Sequence, residues 1–446
     1  MLRRYLLFSL FLLSGFAQLA AQNQITDSNT PLHLLQPDYP IPYGVTKIND
    51  IESVLEKVYL YLNEVTPARL VDKASGSPLK PSQLADSQTR FEKGDFRLTS
   101  YEWGVTYAGM MLATQSTGDL RFADYTYERL SFLSGLFSES NEIFIKDPQA
   151  DFPLKSIVNP HALDDAGAIC AAMIKAQKLG FQSGLEPIIE NLINYISSKE
   201  YRLDDGTFAR NRPLKNTLWL DDLFMSVPAL ALYADQSGDT KYMDDAVSQV
   251  LHFSERMFNT SSGIFRHGWV ENSGNAPSYF WARANGWAFM AMVELLSVLP
   301  KNHPKYEIVL SLYQSHALGL SSFQSSTGFW HQLLDRNDSY LETSATAIFT
   351  YGFAKGINEG WLDYRVYAPL TLSAWNAVAS KVNDKGQVEG TCVGTGMGFD
   401  PAFYYYRPTN LFAAHSYGPV MLAGSEVISL LKNHNYEIDE TAVQFK

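Results

Sequence analysis

The feature that most limits what this chain can fold into is a repeat of helix pairs. An apolar helix ends, a Gly-Asp or Pro-containing turn follows, and an amphipathic helix opens on an aromatic residue. Gly118-Asp-Leu-Arg-Phe-Ala-Asp124 and Gly238-Asp-Thr-Lys-Tyr-Met-Asp244 show the pattern best, and His303–Tyr306 and Trp361–Tyr364 occupy similar places. Each second helix leads into a glycine turn with a short aromatic or β-branched segment: Asp205-Gly-Thr-Phe208, Ser262-Gly-Ile-Phe265, Thr327-Gly-Phe-Trp330 and Lys385-Gly-Gln-Val388. The units recur roughly every 60 residues, the mark of an architecture that stacks one supersecondary unit on the next.

Within a unit the first helix is nearly all apolar and the second amphipathic, as an inner and an outer ring require. The inner candidates are Ala166–Leu179, Leu223–Tyr233, Trp287–Leu299, Thr343–Ala354 and Gly418–Leu431, with a sixth near Tyr101–Thr114. Six hairpins closing on themselves make an all-α (α/α)6 barrel, a six-hairpin toroid. The alternative is an open solenoid, which needs polar terminal caps. No terminal unit has that character, which favours closure. The predicted division is a signal peptide over 1–21, an extended arm over 22–50 and a single helical domain over 51–446. Within it, the polar Ser-, Lys-, Gly- and Pro-containing stretch 68–97 is predicted to be a long loop, of a length that tends to be functional.

Composition narrows the partners. Apolar residues make up 46% and aromatics 13% of the 446 residues. Such a chain can hold a large core, the reading that composition alone favours, and its rings also suit the apolar faces of sugars. The net charge of −12, with no basic run beyond Arg3-Arg4, argues against nucleic acid as a partner. An anionic ligand would have to be met by a few local arginines. Arg3 and Arg4 precede the apolar run Tyr5–Phe16, and the small residues Ala20 and Ala21 follow. This is the order of an export signal with its cleavage site, so a periplasmic or secreted location is expected, with the mature chain starting near Gln22. No cysteine follows the run, and no other apolar stretch is long enough to cross a bilayer, so no membrane attachment is expected after cleavage. Cys170 and Cys392 are expected to be buried free thiols rather than a bridge. Neither HExxH nor a Cys/His ligand spacing is present, so neither a metal nor another cofactor is expected.

Short polar-aromatic clusters precede the inner helices, which would gather them at one mouth of the barrel. Tyr101-Glu-Trp-Gly-Val-Thr-Tyr107 opens the first; Tyr101, Trp103 and Tyr107 stand either to stack on sugar or to fill the core. Asn159-Pro-His-Ala-Leu-Asp-Asp-Ala-Gly167 places Asp164 and Asp165 where one N-cap would suffice. Thr217-Leu-Trp-Leu-Asp-Asp-Leu-Phe-Met225 repeats the double aspartate one unit later, with Asp221 and Asp222. Equivalent positions on neighbouring inner helices face one cavity, so two carboxyls are expected in one site. Mutual repulsion and burial would then raise one of them and keep it protonated near neutral pH. His267 lies between Arg266 and Trp269 in a glycine turn. In Tyr279–Trp287, Arg283 and Trp287 are four residues apart on one helical face; they suit a carboxylate-bearing sugar or a cation–π pair within the fold. His331, Gln332 and Glu342 follow in the next unit. The run Cys392-Val-Gly-Thr-Gly-Met-Gly398 and the segment His415–Pro419 border the last inner helix; without GK[ST] the glycines are no phosphate loop.

Taken together, the stretches Tyr101–Tyr107, Leu163–Gly167, Trp219–Met225, Trp281–Trp287, Phe329–Asp335 with Ser339–Ser344, and Gly394–Gly398 with Tyr417–Glu426 resemble glycoside hydrolase family 105. That family comprises the unsaturated rhamnogalacturonyl hydrolases and is related to the unsaturated glucuronyl hydrolases of family 88. Six stretches in one order are specific where one would be weak. The resemblance implies an (α/α)6 barrel and a metal-independent hydrolase. It carries the family's acid-base aspartate onto Trp219-Leu-Asp221 and the partner aspartate onto Asp165-Ala-Gly167. It also carries the substrate-binding Arg and Trp onto Arg283 and Trp287, and the glycine-turn histidine onto His267. Tyr101, Trp103, Trp219 and His331 complete the candidate sugar contacts. The 68–97 loop has no counterpart in the simpler members.

The implied substrate is an oligosaccharide ending in a 4,5-unsaturated uronic acid, with rhamnose as the family-based guess for the next sugar, as in rhamnogalacturonan or ulvan fragments. Its C4=C5 bond is part of an enol ether, an easier target than a glycosidic oxygen. In this reading Asp221 protonates C4 and Asp165 tunes Asp221. Arg283 holds the C6 carboxylate or a nearby anionic group, and Trp287 and Trp219 bound the ring. Two alternatives remain at this point: a polysaccharide lyase or sugar epimerase on the same toroid, and a glycan-binding protein without activity.

Overall fold

The computed structural model describes residues 25–26, 28–29, 38–84, 88–181, 184–273, 279–438 and 443–445. The expected signal peptide and part of the arm lie outside them.

Among the described residues, twelve long helices alternate between two rings. In chain order they are α1 (Ile48–Val65), α2 (Tyr101–Thr117), α3 (Leu120–Lys146), α4 (Leu163–Lys178), α5 (Glu186–Ser198) and α6 (Val227–Ser237). Then come α7 (Thr240–Met257), α8 (Ala282–Leu296), α9 (Tyr306–Ser321), α10 (Thr343–Asn358), α11 (Tyr364–Ala379) and α12 (Tyr417–Asn433). The inner ring is α2, α4, α6, α8, α10 and α12, each packed on the next, and α12 returns to α2. The ring is therefore closed, not an open solenoid. Every residue of α8 is buried, as is nearly all of α10 and α12. A helix apolar all round belongs inside, so the sequence pattern and the ring position agree. The first helix, α1, packs on the last, α12, and completes the sixth hairpin.

The Gly-Asp turns have a local cause. Gly118 and Gly238 end α2 and α6 with φ of +81° and +74°, a conformation that costs other residues strain. Asp119 and Asp239 then cap α3 and α7, accepting the backbone N–H of Arg121 and Lys241. Asp363 caps α11 in the same way.

Inner helices also approach closely where the motifs carry glycine. A Cβ on Gly167 would lie 1.8 Å from the carbonyl oxygen of Met225. The glycine of Asp165-Ala-Gly167 is thus a packing requirement that seats α4 against the segment bearing Asp221.

Two expectations need adjustment. The 68–97 stretch is not an irregular loop: Leu70–Asp72 is the centre of a three-stranded antiparallel sheet, flanked by Pro78–Leu79 and Thr89–Phe91. The arm gives way to helix at Ile48, three residues before the first apolar position of the pattern. Its described part is tied to the outer ring, where the Asn376 amide of α11 donates to the carbonyls of Pro42 and Gly44. Cys170 and Cys392 are buried free thiols, as expected.

Candidate active site

A cavity of about 270 Å³ opens at the mouth formed by the N-terminal ends of the inner helices. Asp164, Asp165, Trp219, Asp221, Tyr101 and Arg210 line it, with Arg97, Thr99, Ser100, Ser156, Met225 and Thr395. Both double-aspartate motifs therefore face one space.

A strand pairing places Asp221. Thr217–Trp219 runs antiparallel to Gly268–Val270 with Trp219 opposite Gly268. One step further, the Leu220 N–H donates to the His267 carbonyl at 2.9 Å. The next residue, Asp221, starts a tight turn into α6, and its Oδ2 meets His267 Nε2 at 3.0 Å. On the other side of the imidazole, Nδ1 lies 2.7 Å from the Tyr404 hydroxyl, which itself receives the Gly398 N–H. A carboxylate only accepts, so Nε2 carries the hydrogen donated to Asp221; the Tyr404 hydroxyl, also 3.4 Å from the Gly398 carbonyl, donates to Nδ1 of a neutral ring or accepts from Nδ1–H of an imidazolium. Burial pushes the Asp221 carboxyl up. The hydrogen bond and charge of His267, with Arg210 and Arg283 behind, outweigh it and leave Asp221 below the usual carboxylate range.

The raised carboxyls are its neighbours. Asp222 is 2% exposed and bound by Arg210 through two contacts of 2.6 and 3.0 Å; the same guanidinium reaches Asp164 at 3.1 Å. Burial lifts both acids against the pull of Arg210; the charges of Asp221 and Asp165 add to the lift on Asp164, and those of Asp164 and Asp221 to the lift on Asp222. One cation serves three carboxyls, so the site holds a proton readily. The expectation that a pair of carboxyls raises one partner survives, but in the isolated protein that partner is not Asp221. Asp165, in the first turn of α4, accepts the His161 N–H at 2.9 Å and faces the cavity.

Trp219 forms one wall. The Arg210 guanidinium lies 4.2 Å above its ring, and Gly396 sits close enough that a Cβ there would meet the indole at 3.1 Å. The glycine-rich run 392–398 is thus a wall segment, contributing Thr395.

Several sequence-based assignments are corrected by position. Arg283 is 1% exposed, and its guanidinium donates to the carbonyls of Cys392 and Val393 at 2.6 and 2.7 Å. It holds the wall segment from behind and is not among the residues that line the cavity. Its ring partner is Trp281, at 4.6 Å, rather than Trp287. Trp287 is buried against Phe224 with ring centroids 5.1 Å apart, behind the wall of the cavity. Trp103 is wholly buried, stacked on Phe96 and donating to the Tyr125 hydroxyl at 3.1 Å; it is a core residue. His331 bonds the Ser339 carbonyl at 2.5 Å and lines a separate surface groove with Phe323 and Asp335. Tyr101, Asp165, Trp219 and Asp221 remain in the cavity, and His267 touches it through Asp221.

Arg210, Arg97 and Tyr404 were not singled out from sequence, although a signal for Arg210 exists. It stands four residues after Gly206, as His267 stands four after Gly263 and Gln332 four after Gly328. His331 and Arg266 stand three after. Alternate residues of an extended segment point to opposite sides. Hence Arg210, His267 and the fully buried Gln332 turn inward, while Arg266 is exposed and His331 lies on another groove.

The model for Glycosyl Hydrolase Family 88 matches residues 77–431. The chain belongs to that family. The resemblance to family 105, and through it to family 88, holds. Among curated relatives, the "Unsaturated 3S-rhamnoglycuronyl hydrolase" of Alteromonas sp. (strain LOR) is 29% identical over 215 residues, 47% of this chain and 51% of that protein. The "Unsaturated rhamnogalacturonyl hydrolase YesR" of Bacillus subtilis (strain 168) is 27% identical over 212 residues, 46% of this chain and 60% of the relative. The chain thus spans about half the length of the curated relatives it matches. A crystal structure from Salmonella enterica serovar Paratyphi A, described as a possible member of the GH105 family, superposes with a TM-score of 0.68 at 21% identity. It covers 89% of this chain and 100% of the other, and shares the helical toroid. Among the described residues of this family 88 chain, no group of three or more His, Cys, Asp or Glu could hold a metal ion. No described helix is long and apolar enough to cross a membrane.

Proposed function

We propose that the chain removes a terminal 4,5-unsaturated uronic acid from a lyase-generated oligosaccharide, with rhamnose as the following sugar, by hydrating the C4=C5 enol ether. The observation that carries the reading is the Asp221 carboxyl, tied to His267 at 3.0 Å and facing Asp165 across a cavity, in a family 88 chain. The rhamnose assignment follows the names of the Alteromonas and Bacillus relatives.

Asp221 is ionised in the empty cavity. An entering uronate adds a negative charge and excludes water, and both effects raise a carboxyl. Asp221 then takes up a proton and delivers it to C4. The electron pair of the C4=C5 bond forms the new C–H bond, and the ring oxygen shares the charge left at C5. Asp221, again a carboxylate, receives a proton from the water that adds to C5. The resulting hemiketal opens, and the neighbouring sugar leaves as an alcohol. Asp165 faces the ring hydroxyls, Trp219 bounds the ring, and Arg97 at the rim has no ion pair among the described residues.

The ultraviolet band of the unsaturated uronate tests this directly. It should fall on incubation. A rise would mean a lyase, and no change a binding protein. In heavy water the released uronate should carry one deuterium on carbon 4, on one face only. Product without it would mean protonation at the bridging oxygen. We also propose that residues 1–21 direct export; N-terminal sequencing of protein recovered outside the cytoplasm should begin near Gln22.

A further inference from the structure

One buried histidine beside the cavity has no part in the steps above. His415 lies in the short turn before α12, 4% exposed, with its Nε2 2.7 Å from the Tyr101 hydroxyl. Glu102 Oε1 is 3.4 Å from the same nitrogen. Nδ1 is buried and has no hydrogen-bond partner among the described residues.

These facts fix where the protons are. Burial, with the Arg283 charge nearby, holds the His415 imidazole well below its usual range, so the ring is neutral and carries one hydrogen. A hydrogen on Nδ1 would be a buried donor without an acceptor, which costs about 1–3 kcal/mol. A hydrogen on Nε2 meets the Tyr101 oxygen and lies on the side of the Glu102 carboxylate. The Nε2–H tautomer is therefore the stable one. Tyr101 Oη accepts from it, and the hydroxyl's own hydrogen must turn away from His415. Tyr101 lines the cavity and has no other hydrogen-bond partner among the described residues.

We propose that His415 is a positioning residue that aims the Tyr101 O–H into the cavity, where it donates to the carboxylate of the bound uronate. This rests on the reading of the cavity as a uronate site, and it fills the position left open by Arg283, which is buried outside the cavity lining and bonded to main-chain carbonyls. A phenol whose oxygen already accepts a hydrogen bond donates more strongly, because bonds in a chain polarise one another.

The test compares Tyr101→Phe, His415→Leu and His415→Gln on an unsaturated disaccharide and on its methyl ester. Tyr101→Phe should raise KM for the acid by about tenfold or more, as expected for a lost bond to a charged acceptor, with kcat little changed. The ester, lacking the charge, should show a much smaller rise. His415→Leu should move KM in the same direction, and the double variant should be no worse than Tyr101→Phe alone. His415→Gln, which keeps an N–H at the end of its side chain, should recover most of the loss. An unchanged KM in Tyr101→Phe overturns the proposal. So do equal rises for acid and ester, or a His415→Gln variant as impaired as His415→Leu. Failure of the wild-type protein to act on either substrate would instead overturn the uronate reading itself.

Discussion

His316, with the second buried neutral imidazole of His415, should weaken this fold in acid. It lies on α9, wholly buried, among the rings of Phe258, Phe265 and Phe289. Among the described residues its ring makes one hydrogen bond, 3.1 Å to Asn285 Oδ1, and Nδ1 has no partner. Burial alone drives its pKa down to about 3. In the unfolded chain a histidine takes up its proton near pH 6.5. Between those values the unfolded state binds the proton and the folded state does not. The associated stability is complete above about pH 6.5 and is lost as pH falls toward 3, by about 1.4 kcal/mol per pH unit. At about pH 4.5 the loss is about 3 kcal/mol relative to neutral pH. His316→Gln isolates this effect: it keeps a donor for Asn285, whose oxygen is also held by the Phe265 N–H at 2.7 Å, but takes up no proton. Urea unfolding of both proteins at about pH 7 and about pH 4.5 gives the two stability gaps, which should differ by about 3 kcal/mol in favour of the variant at acid pH. A gap that stays constant with pH would refute the reasoning. The result also bears on activity, because proton delivery by Asp221 favours low pH until unfolding intervenes.

The other expectations follow from the cavity. Asp221→Asn should lose nearly all turnover while melting close to wild type, and an active variant would remove Asp221 from the reaction. Arg210→Met should destabilise by about 3–5 kcal/mol, because the buried Asp222 loses its cation; adding Asp222→Asn should restore much of it in thermal melts. Arg283→Ala should lower the melting temperature and speed amide exchange around Cys392 and Val393. A raised KM with exchange unchanged would return Arg283 to substrate binding.

Legibility in the sequence followed the range of the cause. Periodicity is local, and it located all six inner helices and the closed ring. The double aspartates were visible because a repeat displays them at equivalent places. The division of labour among them was not, because it depends on partners far along the chain: Arg210 holds Asp222 and Asp164, while His267 takes Asp221. Arg283 beside Trp287 looked like a sugar-binding pair at helical spacing. Its true partners, the carbonyls of Cys392 and Val393, are more than a hundred residues away. Trp103 is stacked on Phe96 in the core, and no spacing rule separates that from a cavity wall. His331 missed the cavity by one residue of strand alternation, and its neighbour Gln332 turned inward.

The seam between α1 and α12 governs the order in which this molecule can be built. The cavity draws its residues from Arg97 through Thr395, and the turn carrying His415 leads directly into the helix that shuts the ring. Until α12 is made, the flank of α2 that it covers lacks its partner. A fragment lacking that helix would have every carboxyl of the cavity and no enclosure around them. The same seam is one hairpin junction among six, distinguished only by having no connecting turn. Joining the ends and cutting another outer turn should therefore move the seam around the ring and leave the mouth intact.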